Sequence, residues 1–199
     1  MKMVSKCILV SAVVLLAVLF SMIGGLPAVQ GGSADHVRWD IVSLNPPPIS
    51  PGGVAFAAAP DTLTIKLTGS GTFDAPASGG TSSSVTGGGT WETFSGTTST
   101  GSGNYEVREL ISWQLANLVT TPASDTDAFG DGTRANGNAV LRIVYDDGSE
   151  GVLSVGCRGS SPHPGIVEGV IATKDFVTYW NAHKPLPGVN TDHTLFHVR

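Results

Sequence analysis

Residues 139–157 read A-V-L-R-I-V-Y-D-D-G-S-E-G-V-L-S-V-G-C. Two apolar runs flank an Asp146-Asp147-Gly148 turn, the composition of a β-hairpin. The loop length decides the register. A two-residue loop at Asp147-Gly148 sets Arg142 against Leu153 and Leu141 against Ser154, which mixes apolar and polar side chains on both faces. A three-residue loop, with Gly148 in the left-handed conformation, sets Ala139 against Val155, Leu141 against Leu153 and Ile143 against Gly151. One face then collects Ala139, Leu141, Ile143, Tyr145, Leu153, Val155 and Cys157. The other carries Arg142, Glu150 and Ser154 among Val140, Val144 and Val152. A one-residue slip would exchange the faces, so the cleaner separation selects the three-residue loop.

Outward from this hairpin the chain keeps a period of two. Val37, Trp39 and Ile41 alternate with Arg38, Asp40 and Val42, which predicts a first strand at 37–44. Asn45-Pro46-Pro47-Pro48 stops it, because proline cannot donate to a ladder. Leu63, Ile65 and Leu67 alternate with Thr64, Lys66 and Thr68 in a strand at 62–73. Further strands are predicted at 85–94, 103–116, 139–145, 150–157, 166–173 and 194–198. Gly71-Thr72-Phe73, Gly89-Thr90-Trp91 and Gly103-Asn104-Tyr105 repeat a glycine–polar–aromatic pattern. Glycine in a strand marks a bend or close backbone approach, and an aromatic neighbour can cover it. Thr173 looks like an N-cap, and Phe176, Tyr179 and Trp180 have i, i+3, i+4 spacing, so a short helix is predicted at about 174–182. The expected fold is all-β: an antiparallel meander of about eight strands, closed as a barrel or packed as a sandwich, with one short C-terminal helix.

Composition agrees and narrows the function classes. The 199 residues include 26 glycines and 12 prolines, and only 14% are charged, which suits a turn-rich β domain. Residues 1–34 have the plan of a signal peptide: Lys2 and Lys6, an apolar run from Cys7 to Ile23, then small residues with Ala28 and Ala34 as cleavage positions. The alternative is a retained N-terminal anchor, the one route to a membrane that the sequence offers. Residues 35–199 are expected to form a single β-barrel-like domain that is secreted or attached to the cell envelope. Without Lys2 and Lys6 the balance is 9 basic against 16 acidic residues, near −7, which disfavours nucleic acid as a partner. One cysteine outside the leader, Cys157, leaves no internal disulfide framework, and its place on the apolar face reads as core.

Chemistry-bearing patterns are sparse. Phosphate-loop, nucleophile-elbow and zinc-protease motifs are all missing from the sequence. Glu92, Glu106, Glu109 and Glu168 fall on predicted strands, and a glutamate turned into a barrel would act as an acid or base. Glu106, Glu109 and Arg142 are the catalytic candidates on that view. Trp91, Tyr105, Trp113 and Tyr145 are the candidate contacts for a small apolar ligand or a glycan. Asp125, Asp127 and Asp131 are candidate calcium ligands: the loop starts like an EF-hand, but Phe129 and Asn136 occupy ligand positions. No other cofactor is expected. His183, His193 and His197 are a weaker metal set, and Cys157 with His163 a weaker nucleophile–base pair.

Trp39-Asp40-Ile41-Val42, Gly87-Gly88-Gly89-Thr90-Trp91 and Phe176-Val177-Thr178-Tyr179-Trp180 resemble segments of exported bacterial and archaeal all-β proteins. The eight-strand plan is similar to that of allene oxide cyclase and dirigent-type barrels and of lipocalins. Those folds host catalysts and carriers alike, so the resemblance implies a barrel and carries over no active site. The expectation is a non-catalytic barrel that binds a small apolar ligand or serves in the envelope. The alternatives are an isomerase- or cyclase-like enzyme with a buried carboxylate, and a carbohydrate-binding or adhesion sandwich.

Overall fold

The structure is a computed structural model that describes residues 35–44, 48–76, 81–119, 127–129, 132–160, 162–183 and 190–199. The expected export segment at 1–34 lies outside the described residues. Thirteen strands are found among them: β1 (Asp35–Ser43), β2 (Ser50–Pro51), β3 (Ala55–Ala58), β4 (Leu63–Leu67), β5 (Ser70–Ala75), β6 (Val85–Ser95), β7 (Thr98–Leu118), β8 (Thr133–Tyr145), β9 (Glu150–Cys157), β10 (Gly169–Lys174), β11 (Val177–Tyr179), β12 (Asn181–Ala182) and β13 (His193–Val198).

Six of them close a barrel. β1 pairs β5, β5 pairs β6, β6 pairs β7, β7 pairs β8, β8 pairs β13 and β13 returns to β1, all antiparallel. Consecutive strands from β5 to β11 are neighbours, so the meander holds there, and the terminal strand closes onto the first. The inside is solid. Trp39, Phe73 and Phe196 are fully buried, and Trp113 sets its ring edge-on to Phe196 at 4.7 Å and to Phe73 at 5.5 Å. Strand glycines make room for these rings. A Cβ on Gly71 would come within 2.8 Å of Trp39 Nε1, and one on Gly137 within 2.9 Å of the Trp113 ring. The register confirms the pairing, with Trp39 directly opposite Gly71.

The long strands outlast the barrel. β8 pairs β13 over residues 133–135 and β9 over 137–144, while β6 pairs β5 at 85–88 and β4 at 91–95. β7 follows both, with one register shift against β6 and three against β8, the bulges that let a strand of this length curl. Outside the ring, β3 joins β4 and β10 joins β9. β11 then pairs β10, and β12, one residue further on, pairs β3.

The hairpin at 139–157 has the expected register: Leu141 lies opposite Leu153, Ile143 opposite Gly151 and Ala139 opposite Val155. Gly148 has φ 88°, and its N–H donates to the Tyr145 carbonyl at 2.9 Å. All seven residues of the expected inner face are buried, Arg142 is exposed, and the three outer valines are half-buried.

Two expectations change. No helix occurs among the described residues, and 174–182 holds the turn and second strand of the β10–β11 hairpin, followed by β12. Thr173 does not cap a helix, because its hydroxyl accepts the Val152 N–H of β9 at 2.9 Å. Asp175, at φ 53°, makes a two-residue turn that sets Lys174 opposite Val177 and Ala172 opposite Tyr179. The aromatic spacing read as helical is strand alternation: Phe176, Thr178 and Trp180 point out and Tyr179 points in. The strand count also rises. The predicted strand at 62–73 breaks at Thr68-Gly69 into β4 and β5, which lie end to end along β6, and four short strands escape the sequence pattern.

Candidate functional site

β8 changes partner at Asn136. Ala135 lies opposite Phe196 of β13, whereas Gly137 lies opposite Cys157 of β9. β13 and β9 therefore part at this point, and a cavity of about 690 Å³ opens beside the fork. Asn136 is fully buried and knits the end of the fork. Its amide donates to the Ser160 carbonyl at 2.9 Å, and its oxygen accepts the Gly159 N–H at 2.6 Å. Apolar walls come from the outer face of the barrel, with Val42, Ile49 and Leu195, and from the 158–168 segment, with Ile166 and Val167.

Glu168 and Cys157 are the reactive-type groups in the wall. The Glu168 carboxyl accepts the Thr194 N–H at 2.7 Å and the Arg158 N–H, and lies 3.0 Å from the Thr194 hydroxyl. That hydroxyl already reaches the Gly156 carbonyl at 2.6 Å. Burial raises the Glu168 pKa, and the bonds from Arg158 and Thr194 only partly oppose it. The Cys157 thiol is buried and donates to the Thr194 carbonyl at 3.3 Å. Burial, with the Glu168 carboxyl adding to it, pushes its pKa far up, so it stays a thiol and a poor nucleophile. Both groups are turned towards backbone partners of the fork.

Glu168 gives the fold a pH signature. A carboxyl whose pKa is higher folded than unfolded (about 4.3 unfolded) favours the folded state below that pH and loses this contribution as pH rises through the folded value. Urea unfolding at pH 4 and pH 7.5 is expected to show the native chain losing more stability across the interval than Glu168→Gln. The lost hydrogen bonds offset both points alike, so a pH-independent gap between the two chains would contradict a raised Glu168 pKa.

The catalytic candidates lie outside. Glu106 is exposed and pairs with Arg108 at 2.6 Å, and Glu109 pairs with Arg142 at 3.0 Å on the outer surface. Glu92 pairs with Lys66 at 2.6 Å. The ligand candidates are brought together, but as core. Trp91, Tyr105 and Tyr145 are buried in one cluster, with Tyr145 5.7 Å from Trp91 and 6.3 Å from Tyr105, and Trp113 fills the barrel. None of the four lines the cavity.

No family model, curated protein or solved structure matches this chain. Function is therefore read from the site itself.

Of the calcium candidates, Asp125 and Asp131 lie outside the described residues. Asp127 is engaged by Arg134 at 2.7 Å and by His197 at 3.3 Å. Burial alone would raise its pKa, but the bonds from Arg134 and His197 outweigh burial and lower it. Nearby, Asp40 is fully buried and held by Arg38 in a two-point pair at 2.7 and 3.0 Å, while Arg38 lies over the Phe129 ring at 4.6 Å. The 127–129 segment thus covers the outer face of β1 and β13, which explains why β1 is buried on both sides. His193 and His197 do share that face, but His197 is spent on Asp127 and His183 stacks on Phe56 at 5.7 Å. Among the described residues no cluster of three metal-ligating side chains forms. His163 is exposed, with its Nδ1 accepting the Gly165 N–H at 3.3 Å. The sequence reading placed Asn136 only in the EF-hand-like loop, where the structure has it in β8 at the fork, and it passed over Arg158. The signal was available for Arg158, which opens a Gly/Ser/Pro loop directly after an apolar strand.

Proposed function

We propose that the protein is an exported, non-catalytic β-barrel that binds a small, largely apolar ligand in the cavity at the β8–β9–β13 fork. The supporting observation is the combination of volume and lining. Small-molecule sites run from about 300 to 1,000 Å³, with mostly apolar walls and a few fixed polar groups. This cavity has about 690 Å³, aliphatic walls, and a polar set already hydrogen-bonded to backbone. The barrel itself is packed with aromatic rings, so the ligand sits beside it. Export is supported by the leader-like composition of residues 1–34.

An acid–base enzyme is the second reading, favoured by one observation: the half-buried carboxyl of Glu168, its pKa raised, in the same wall. Its ties to Thr194 and Arg158 give it the character of a strut, and its Cys157 neighbour bonds to a carbonyl and not to a base.

Native mass spectrometry of protein purified from its own secretion route is expected to show a bound small molecule. Titration with the apolar fluorophore N-phenyl-1-naphthylamine is expected to saturate at one site. Leu44→Trp, at a partly exposed wall position, should abolish that signal while the chain stays folded. Absence of saturable binding, or equal binding by the filled variant, would overturn the assignment.

A further inference from the structure

We infer that the ligand of the fork cavity is a monoanionic amphiphile: one carboxylate head held by Arg158, with an apolar body along the aliphatic walls. This rests on the cavity being the ligand site. Arg158 lines it at the exposed end of β9, and its guanidinium makes no hydrogen bond or ion pair among the described residues. The other charged groups in the wall are spoken for. Arg134 is paired with Asp127, and the Glu168 carboxyl faces the backbone N–H groups of Arg158 and Thr194.

That last contact is the mechanism of the site. Glu168 grips the main chain of Arg158 and leaves the side chain to project. Glu168 thus fixes where the side chain starts; the guanidinium favours the charged form of that carboxyl through space but makes no hydrogen bond to it among the described residues. A planar guanidinium presents paired N–H groups that match a carboxylate in two-point geometry. Arg158 offers this fork at the cavity wall, which fits a head group of single charge. The apolar wall residues Val42, Ile49, Ile166, Val167 and Leu195 then set the chemistry of the body, which is largely hydrocarbon.

The test uses laurate, dodecanol and dodecyltrimethylammonium, which share one chain and differ only in the head, titrated into the full domain in competition with N-phenyl-1-naphthylamine. Laurate is expected to bind about tenfold or more tightly than dodecanol, and the ammonium more weakly than either, because charge-assisted hydrogen bonds exceed neutral ones by that order. Arg158→Gln is expected to bring laurate down to the dodecanol level. The side chain is exposed and unbonded, so its thermal midpoint should match the native chain, which separates loss of the head contact from loss of fold. Equal affinity for laurate and dodecanol in the native chain, or a laurate preference that survives Arg158→Gln, would overturn the anionic assignment while leaving the cavity reading intact. Failure of all three probes to displace the fluorophore would overturn both.

Discussion

Lys174→Ala is expected to lower the unfolding free energy by about 3–4 kcal/mol. The lysine is 3% exposed, yet it keeps its charge. Its ammonium lies 4.2 Å from the Trp91 ring and 4.8 Å from the Tyr145 ring, and donates to the Ser149 hydroxyl at 3.0 Å, to Asp175 at 3.2 Å and to Asp147. It therefore pins the turn of the β8–β9 hairpin to the turn of β10–β11. Removing three methylenes forfeits about 0.8 kcal/mol each, and a desolvated cation over two rings adds roughly 1–2 kcal/mol. Asp147 is about two-fifths exposed, so it rehydrates when its partner leaves, and no large penalty for a stranded carboxylate is added. Lys174→Met keeps the stem and loses only the charge, and should fall by about half as much. Burial depresses the Lys174 pKa, but its bonds to Asp147 and Asp175 outweigh burial and raise it. Asp147 is lowered to about 2, chiefly by the bond from Lys174. The pair's contribution is thus present from mildly acidic to mildly alkaline pH. It is lost as pH falls through about 2, where Asp147 protonates, and as pH rises beyond the ordinary lysine value of about 10.4, where Lys174 deprotonates. Urea unfolding of the three chains at neutral pH measures this, and a loss below about 1 kcal/mol for Lys174→Ala would show that the buried cation stabilises nothing.

The same lysine shows where sequence reading stops. Hydrophobic alternation located β1 and β4, the glycine–polar–aromatic repeat located β6, and the Gly148 turn fixed the β8–β9 register, because a strand with one buried face states its register in its side chains. Lys174 sits after Val170 and Ala172 in the inward register and reads as a charge that ends the strand. Nothing local to it says that Trp91, some eighty positions earlier, supplies the face it lies on. The failed helix has the same cause. Phe176, Tyr179 and Trp180 satisfy the helical period over five residues, too short a window to separate it from alternation. The deciding bond runs from Val152 to Thr173 across the sheet. The fork cavity was illegible for a further reason: it arises where one strand exchanges neighbours, a property of topology that no segment carries by itself. Glu168 was legible as a glutamate in an apolar stretch, but not its attachment to Thr194 of the terminal strand.

Trp39→Ala is expected to cost about 3–5 kcal/mol, the range for emptying a large aromatic site in a rigid core. Trp39 is fully buried inside the six-strand ring, where closure on both sides through β5 and β13 leaves little room for collapse. Trp39→Phe should behave differently. The Trp39 indole N–H has no hydrogen-bond partner among the described residues, and a buried unpaired donor costs about 1–3 kcal/mol. Phenylalanine sheds that donor while it leaves a smaller void, so the two effects oppose and the net change should stay within about 1 kcal/mol. Gly71 tests whether ring and glycine form one unit. A Cβ there would stand 2.8 Å from Trp39 Nε1 but also 2.2 Å from the Thr86 carbonyl oxygen. The first contact disappears in Trp39→Ala and the second does not, because Thr86 belongs to the backbone of β6. Gly71→Ala should therefore remain destabilising in the Trp39→Ala background, though by less than in the native chain, and a double-mutant cycle measures the coupling. Full rescue would mean that the indole alone demands the glycine. Partial rescue places the demand on the sheet itself, which must bring β5 and β6 close enough to close a ring of six strands around a tryptophan.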